Sequence, residues 1–244
     1  MRRLFQLIIF YFSNNRKRAN LLKKKYLLSQ EILKDNRFET NWKDRYLIFN
    51  EATISTDFDA HYLYHTAWAA RILAKKLPNI HIDISSDVRF VTLVSAFIPI
   101  KFYDYRPVNF NLSNLSSEFG DLMSLPFETN TIESISCMHV IEHIGLERYG
   151  DPLDGKGDIK AINELIRVLK FGGNLYFVTP VGSVAKIQYN AHRIYTYKMV
   201  LSMFKELKLE NFSLITDDGK FINDANEMLA NNQKYGCGCF LFTK

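Results

Sequence analysis

Apolar positions from residue 55 onward fall into two alternating periods. In "DFDAHYLYHTAWAARILAKKLP", Leu63, Ala67, Ala70 and Leu73 recur at helical spacing, with Asp57 or Asp59 placed to cap the start. "NIHIDIS" follows as a first strand, "SDVRFVTLVSAF" as a helix, and "IPIKFYDY" as a second strand ending at Asp104. A short third strand in "EFGDLMSLPF" stops near Asp121, and "TIESISCMHV" reads as a buried fourth. "DIKAINELIRVLKFGG" sets Ile162, Leu165, Ile166 and Leu169 on one helical face, with Gly172 and Gly173 where a helix stops. "NLYFVTPVG" makes a fifth strand ended by Pro180; beyond "NAHRIYTYKMVLSMF", "NFSLITDD" and "CGCFLFTK" close the chain as an antiparallel pair. Strand and helix in alternation predict an α/β fold, a mostly parallel sheet with an antiparallel C-terminal strand and helices on both faces.

Composition changes this picture at the N-terminus only. The 244 residues are 47% hydrophobic and 23% charged, enough for one large domain with a buried core and a short appendage. The net charge of +5 is uneven: residues 1–30 hold eight Lys/Arg and no acid, leaving 23 basic against 26 acidic residues elsewhere. We therefore divide the chain into a basic helical arm, 1–54, and an α/β domain, 55–244. In the arm, Leu4 to Phe12 is apolar except for Gln6, too short for a bilayer core that needs roughly 20 residues. "SNNRKR" is a poor signal cleavage site, so secretion is not expected. Basic clusters beside an apolar aromatic run suit either a helix packed on the domain or peripheral contact of residues 1–25 with an anionic membrane surface; nucleic acid is the weaker partner. Cys137, Cys237 and Cys239 make no disulfide framework, and Cys-x-Cys is not zinc-finger spacing. A reducing cytoplasm fits.

Candidate chemistry gathers at the strand ends, where open α/β sheets bind ligands. Asp83 and Asp104 are separated by about the interval at which an acid after a second strand receives a ribose diol. Asp121 suits the donor edge of an adenine. "DISSD" replaces a glycine-rich first turn, which fits a pyrophosphate poorly and disfavours NAD; Ser85 and Ser86 can still donate hydrogen bonds.

The order strand-Asp83, strand-Asp104, "GDLMSLPF", "CMHVIEHI" and "ELIRVLKFGGNLYFVTPVG" resembles the class I S-adenosylmethionine-dependent methyltransferases. More narrowly, "HIDISSD", "YDYRP", "EHIGLERYGDPLDGKGD" and "NAHRIYTY" resemble the family catalogued as domain of unknown function 268. The resemblance implies a Rossmann-like methyltransferase sheet over residues 55–244. It also implies Asp83, Ser85 and Ser86 at the methionine end of S-adenosylmethionine, Asp104 at the ribose, Asp121 and Leu122 at the adenine, and His139 beside the sulfonium. The usual Gly-x-Gly of the first loop is missing.

His139, Glu142 and His143 also spell the inverted zinc-protease motif His-x-x-Glu-His. That chemistry needs all three on one helix, whereas His139 falls at a strand end, so a metal-dependent hydrolase is disfavoured. A divalent cation on Glu142 and His143, joined by Asp151, Asp154 or His192, is the milder alternative; no metal is favoured. For methyl transfer to oxygen, His139, His143 and His192 are candidate bases, with Glu142 taking the proton or fixing a tautomer. Arg193 offers a planar fork to an acidic acceptor, Asp151 and Asp154 lie in a polar rim loop, and His61 and His65 line the acceptor pocket from the early helix. The resulting expectation is a cytoplasmic O-methyltransferase of a small or sugar-like acceptor, one in surface-polysaccharide assembly suiting the arm. The alternative is a methyltransferase-like scaffold without catalysis.

Overall fold

The computed structural model describes residues 2–30, 32, 37–49 and 51–244, with residues 2–14 described as helical backbone only. It divides into two compact units, Met1–Asp57 and Phe58–Lys244. In the first, α1 (Arg2–Ser29) is the long element, and a three-residue 3-10 turn at Trp42–Asp44 is capped by the Asn41 side chain. Arg2/Arg3 and the apolar run from Leu4 to Phe12 fall on this helix.

The second unit opens with α2 (Ala60–Lys76), whose N-terminus is capped by Asp59: its carboxylate accepts from the Tyr62 amide at 3.2 Å. There follow β1 (His81–Ile84), α3 (Val88–Val94), β2 (Ile100–Asp104), β3 (Leu115–Phe119) and β4 (Ile132–Met138). After the 3-10 turn Ile141–His143 come α4 (Gly157–Val168), β5 (Leu169–Val181), the ribbon β6 (Lys186–Gln188) and β7 (His192–Ile194), and α5 (Tyr197–Met203). The chain ends through β8 (Lys208–Ile215), β9 (Phe221–Ile222), α6 (Glu227–Asn231) and β10 (Gly236–Thr243).

The main sheet has the order β3-β2-β1-β4-β5-β10-β8-β9. Its first five strands run parallel; β10 is antiparallel to both β5 and β8. Alternation along the strands feeds two cores. Leu175, Phe177, Phe240 and Phe242 face α4, α5 and α6, while Tyr176, Val178, Cys237, Cys239 and Leu241 face α2 and α3. Ile162, Leu165 and Ile166 of α4 are buried in the first core, and cutting Leu165 to Ala there costs about 2–5 kcal/mol.

Two boundaries differ from the pattern reading. Helix α4 stops at Val168, and Leu169 is already the first residue of β5, paired with Ile132. Gly172 and Gly173 therefore lie inside the strand, at an irregularity in its register against β4, rather than at a helix end. A Cβ at Gly173 would lie 2.9 Å from the Ile132 carbonyl, so a close backbone approach accounts for that glycine. Where a helix runs straight into a buried strand, apolar spacing has no break to read. The third strand lies earlier than expected, and Asp121 sits beyond it in an isolated bridge to Ser124.

Candidate functional site

The sheet order reverses between β1 and β4, and a cavity of about 960 Å³, its open mouth included, lies beyond the strand ends there. Ser85 and Ser86 after β1, Asp104 ending β2, Asp121 and Leu122 after β3, and His139 and His143 after β4 all line it. Tyr62, Tyr105, Arg106 and Tyr149 complete the wall, with Asp151 at the rim.

Ser85 takes a left-handed φ of 55°, so the first loop makes a glycine-like turn without a glycine. The Ser86 hydroxyl accepts from the Met138 amide at 3.2 Å, tying that loop to the end of β4. Asp104 Oδ1 accepts from the Arg106 amide at 2.6 Å, and its Oδ2 has no hydrogen-bond partner among the described residues. Asp121 Oδ1 accepts from the Met123 amide at 2.8 Å, fixing the turn that carries Leu122.

Asp83 lies behind this wall. Fully buried, it accepts from the Ser86 amide at 3.0 Å and from the Ser136 hydroxyl, which also contacts His81 Nε2. Burial pushes the Asp83 carboxyl up to about 7 and the His81 imidazole down to about 3. Its contribution is to hold the first loop from within; it does not border the cavity.

His139 has a left-handed φ of 57° at the end of β4, outside the 3-10 turn that holds Glu142 and His143. The two histidines therefore share no helix, and the arrangement an inverted zinc protease requires does not form. Glu142 Oε1 lies 2.7 Å from His139 Nδ1 and 3.9 Å from His143 Nε2. Burial drives the Glu142 carboxyl up and the His139 imidazole down, so both favour their neutral forms. His143 Nδ1 is 2.8 Å from the Ala191 carbonyl, and its ring is also held down in pKa by burial. The Nδ1 must donate to that carbonyl, which leaves Nε2 with the lone pair.

The remaining candidates divide. His61 stacks on Tyr235 at 5.1 Å and on His139 at 5.6 Å, and burial lowers its pKa to about 4. His192 stacks on the other side of this group, 4.9 Å from Tyr235, with Nε2 against Gln188 Oε1. His65 is fully buried against His139; its Nδ1 meets the His61 carbonyl and its pKa falls to about 3, so it packs the core rather than a pocket. Asp151 accepts from the Gly145 and Tyr149 amides, shaping the rim loop. Asp154 bonds Lys160 at 2.7 Å and does not line the cavity. Arg193 is buried, donating from Nη1 to the Ile144 carbonyl at 2.7 Å with Nε 3.6 Å from Asp158; its Nη2 is buried without a hydrogen-bond partner among the described residues, and the residue does not line the cavity.

Tyr62, Tyr149, Tyr235, Arg148 and Cys237 were not singled out from the sequence as site residues. Tyrosines scattered along the chain give no local signal, and only the fold gathers them.

The rim loop and the β6–β7 ribbon belong to a longer stretch of recognisable sequence. Residues 112–232 match the profile of the family described as Caenorhabditis protein of unknown function, DUF268. The matched segment supplies β4, the histidines after it, the rim loop and α4, while Asp83, Asp104 and Cys237 lie outside it. No curated protein matches the chain. Among solved structures, N-methyltransferase NodS from Bradyrhizobium japonicum, in complex with S-adenosyl-L-homocysteine, superposes with a TM-score of 0.52 at 14% identity, covering 77% of this chain and 89% of that one. The Burkholderia thailandensis 1,6-didemethyltoxoflavin-N1-methyltransferase gives a TM-score of 0.53 at 10% identity, over 94% and 89% of the two chains. The [4+2]-cyclase SpnF gives 0.52 at 15% identity, over 72% and 80%. The fold around the matched segment is thus the Rossmann-like methyltransferase fold.

Proposed function

We propose that the chain is an S-adenosylmethionine-dependent methyltransferase acting on a hydroxyl oxygen of a small, sugar-like acceptor. The observation that carries this reading is Asp104, a carboxylate at the end of β2 with one oxygen uncommitted, facing the cavity at the reversal of strand order. The cavity fits the nucleoside. Asp104 would receive the ribose diol, Asp121 and Leu122 would border the adenine, and the left-handed turn at Ser85 would leave room for the methionine end near His139. The cofactor supplies a methyl group on a positively charged sulfur. The chain's own part is to hold an acceptor hydroxyl in line and take its proton, and His143 Nε2, with Arg148 Nη1 3.5 Å away, is the basic nitrogen for that task. Tyr62, Tyr105 and Tyr149, which line the cavity, offer apolar ring surface with polar edges, which matches a sugar ring.

Calorimetric titration with S-adenosylhomocysteine tests the reading: the wild type binds, and Asp104→Ala loses most of that affinity. A folded wild type that binds none would remove it. A second reading, a binding or scaffold protein on a methyltransferase fold, is favoured by the serines in the first turn and by the cyclase that shares this fold; it expects no binding.

We also propose cytoplasmic residence, with residues 1–25 lying on an anionic membrane surface where the acceptor belongs to polysaccharide assembly. No described helix is long and apolar enough to cross a membrane. Deleting residues 2–25 should release the chain from membrane fractions, and unchanged fractionation would sink this part.

A further inference from the structure

His61, His139 and Cys237 come from the first turn of α2, the end of β4 and the second residue of β10, and one ligand atom of each lies within 4.8 Å of the other two. His139 Nε2 is 3.3 Å from Cys237 Sγ. Nitrogen and sulfur bound to one tetrahedral zinc stand about 3.5 Å apart, given bonds of about 2.0 and 2.3 Å. We propose that His61, His139 and Cys237 bind a zinc-type divalent ion, with Glu142 orienting His139 and a fourth coordination position left open.

Three further observations support this site. Glu142, 1% exposed, lies 2.7 Å from His139 Nδ1; with a metal bound, its carboxylate would accept from the Nδ1–H and turn the Nε2 lone pair toward the ion beside Cys237, and a carboxylate behind a ligating histidine is the usual outer support of a metal site. The left-handed backbone at His139 is the sort of strained conformation that functional sites retain. His61 is only half-buried, so its side of the cluster gives an ion a way in. Two imidazoles and a thiolate are borderline-soft donors, which select zinc or cobalt over magnesium or calcium. On binding, the Cys237 thiol gives up its proton to solvent and the thiolate bonds the metal. This set differs from an ion on Glu142 and His143, since neither of those residues is a ligand in it and Glu142 contacts His139 instead. His139 also lines the large cavity, so the open position would lie close to the region assigned to the acceptor.

The full-length chain, stripped with chelator and kept reduced, is titrated with Zn²⁺ and, separately, with Co²⁺. Uptake near one ion per chain is expected, and the cobalt form should show a four-coordinate visible spectrum with a thiolate-to-metal charge-transfer band. Cys237→Ser should abolish that band, and Glu142→Gln should weaken Zn²⁺ binding about 10–100-fold. His61→Asn, on a half-buried helical face, should weaken it by about tenfold or more with circular dichroism and melting unchanged. No stoichiometric uptake, a cobalt spectrum without the thiolate band, or an affinity unmoved by His61→Asn would overturn the site and leave His139 and Cys237 as a hydrogen-bonded core pair. If Cys237→Ser fails to fold, His61→Asn and the wild-type spectrum decide. None of these readouts depends on S-adenosylhomocysteine.

Discussion

The backbone carbonyl of Ala191, in the turn of the β6–β7 ribbon, holds His143 Nδ1 at 2.8 Å across 48 residues of sequence. This contact sets the tautomer and leaves Nε2 as the basic nitrogen. His143→Gln can keep the bond to Ala191 but has no base to offer. With an acceptor identified, turnover should fall about 10²–10⁴-fold, and S-adenosylhomocysteine affinity should change far less, as read by calorimetry. Burial lowers the His143 pKa, so wild-type activity should hold at neutral pH and decline only below the ordinary histidine range. The variant should lack that acidic limb.

Gly145 and Gly150 both carry positive φ, 75° and 84°, yet their surroundings differ. A Cβ at Gly145 would lie 2.1 Å from the Asp154 carbonyl oxygen, whereas nothing lies within 4 Å of one at Gly150. Both Ala variants bear the conformational cost of about 1 kcal/mol. Gly145→Ala must also displace the rim loop, so its urea midpoint should drop clearly further than that of Gly150→Ala. Equal midpoints would mean that the loop yields freely.

Asp83 should make stability depend on pH in an unusual direction. Its folded pKa, about 7, lies above the ordinary 3.8, so the native state holds a proton that the unfolded chain releases. The stabilisation is complete below about pH 4 and is lost as pH rises toward 7 and beyond. His81, pushed down to about 3, acts in the opposite sense, its contribution being lost as pH falls below 6.5. Asp83→Asn keeps His81, so the difference between wild type and variant isolates the carboxyl. From pH 5 to pH 8 the wild type should lose about 2–3 kcal/mol relative to the variant in urea unfolding. A difference that does not vary with pH would refute the raised pKa.

Much of the domain was legible because its signals are local. Leu63, Ala67, Ala70 and Leu73 reveal a helix through spacing alone, Ile162 to Ile166 reveal another, and Asp104 and His139 announce themselves by following apolar runs. The antiparallel placement of β10 against β8 was also readable, since two apolar strands end the chain with no helical crossover long enough to return them parallel. Less legible was what each polar group does once the strands pair. Asp83 and Asp104 look alike in sequence, each an acid at a strand end. Yet β1 is central and β2 lies nearer the edge, so one is swallowed by Ser86 and Ser136 while the other faces open space. Arg193 reads as a free fork until the Ile144 carbonyl and Asp158 are found beside it.

By itself, then, the sequence determined the alternating strands and helices, the basic arm, and the set of acids and histidines at the strand ends, because hydrophobic period and turn chemistry act over a few residues. Tertiary structure alone decided which of those groups share a space. His139 and Cys237 stand 98 residues apart in sequence, yet His139 Nε2 and Cys237 Sγ are in contact at 3.3 Å, and no local pattern encodes that pairing. It follows from β10 inserting antiparallel between β5 and β8, a choice made by the burial of whole faces.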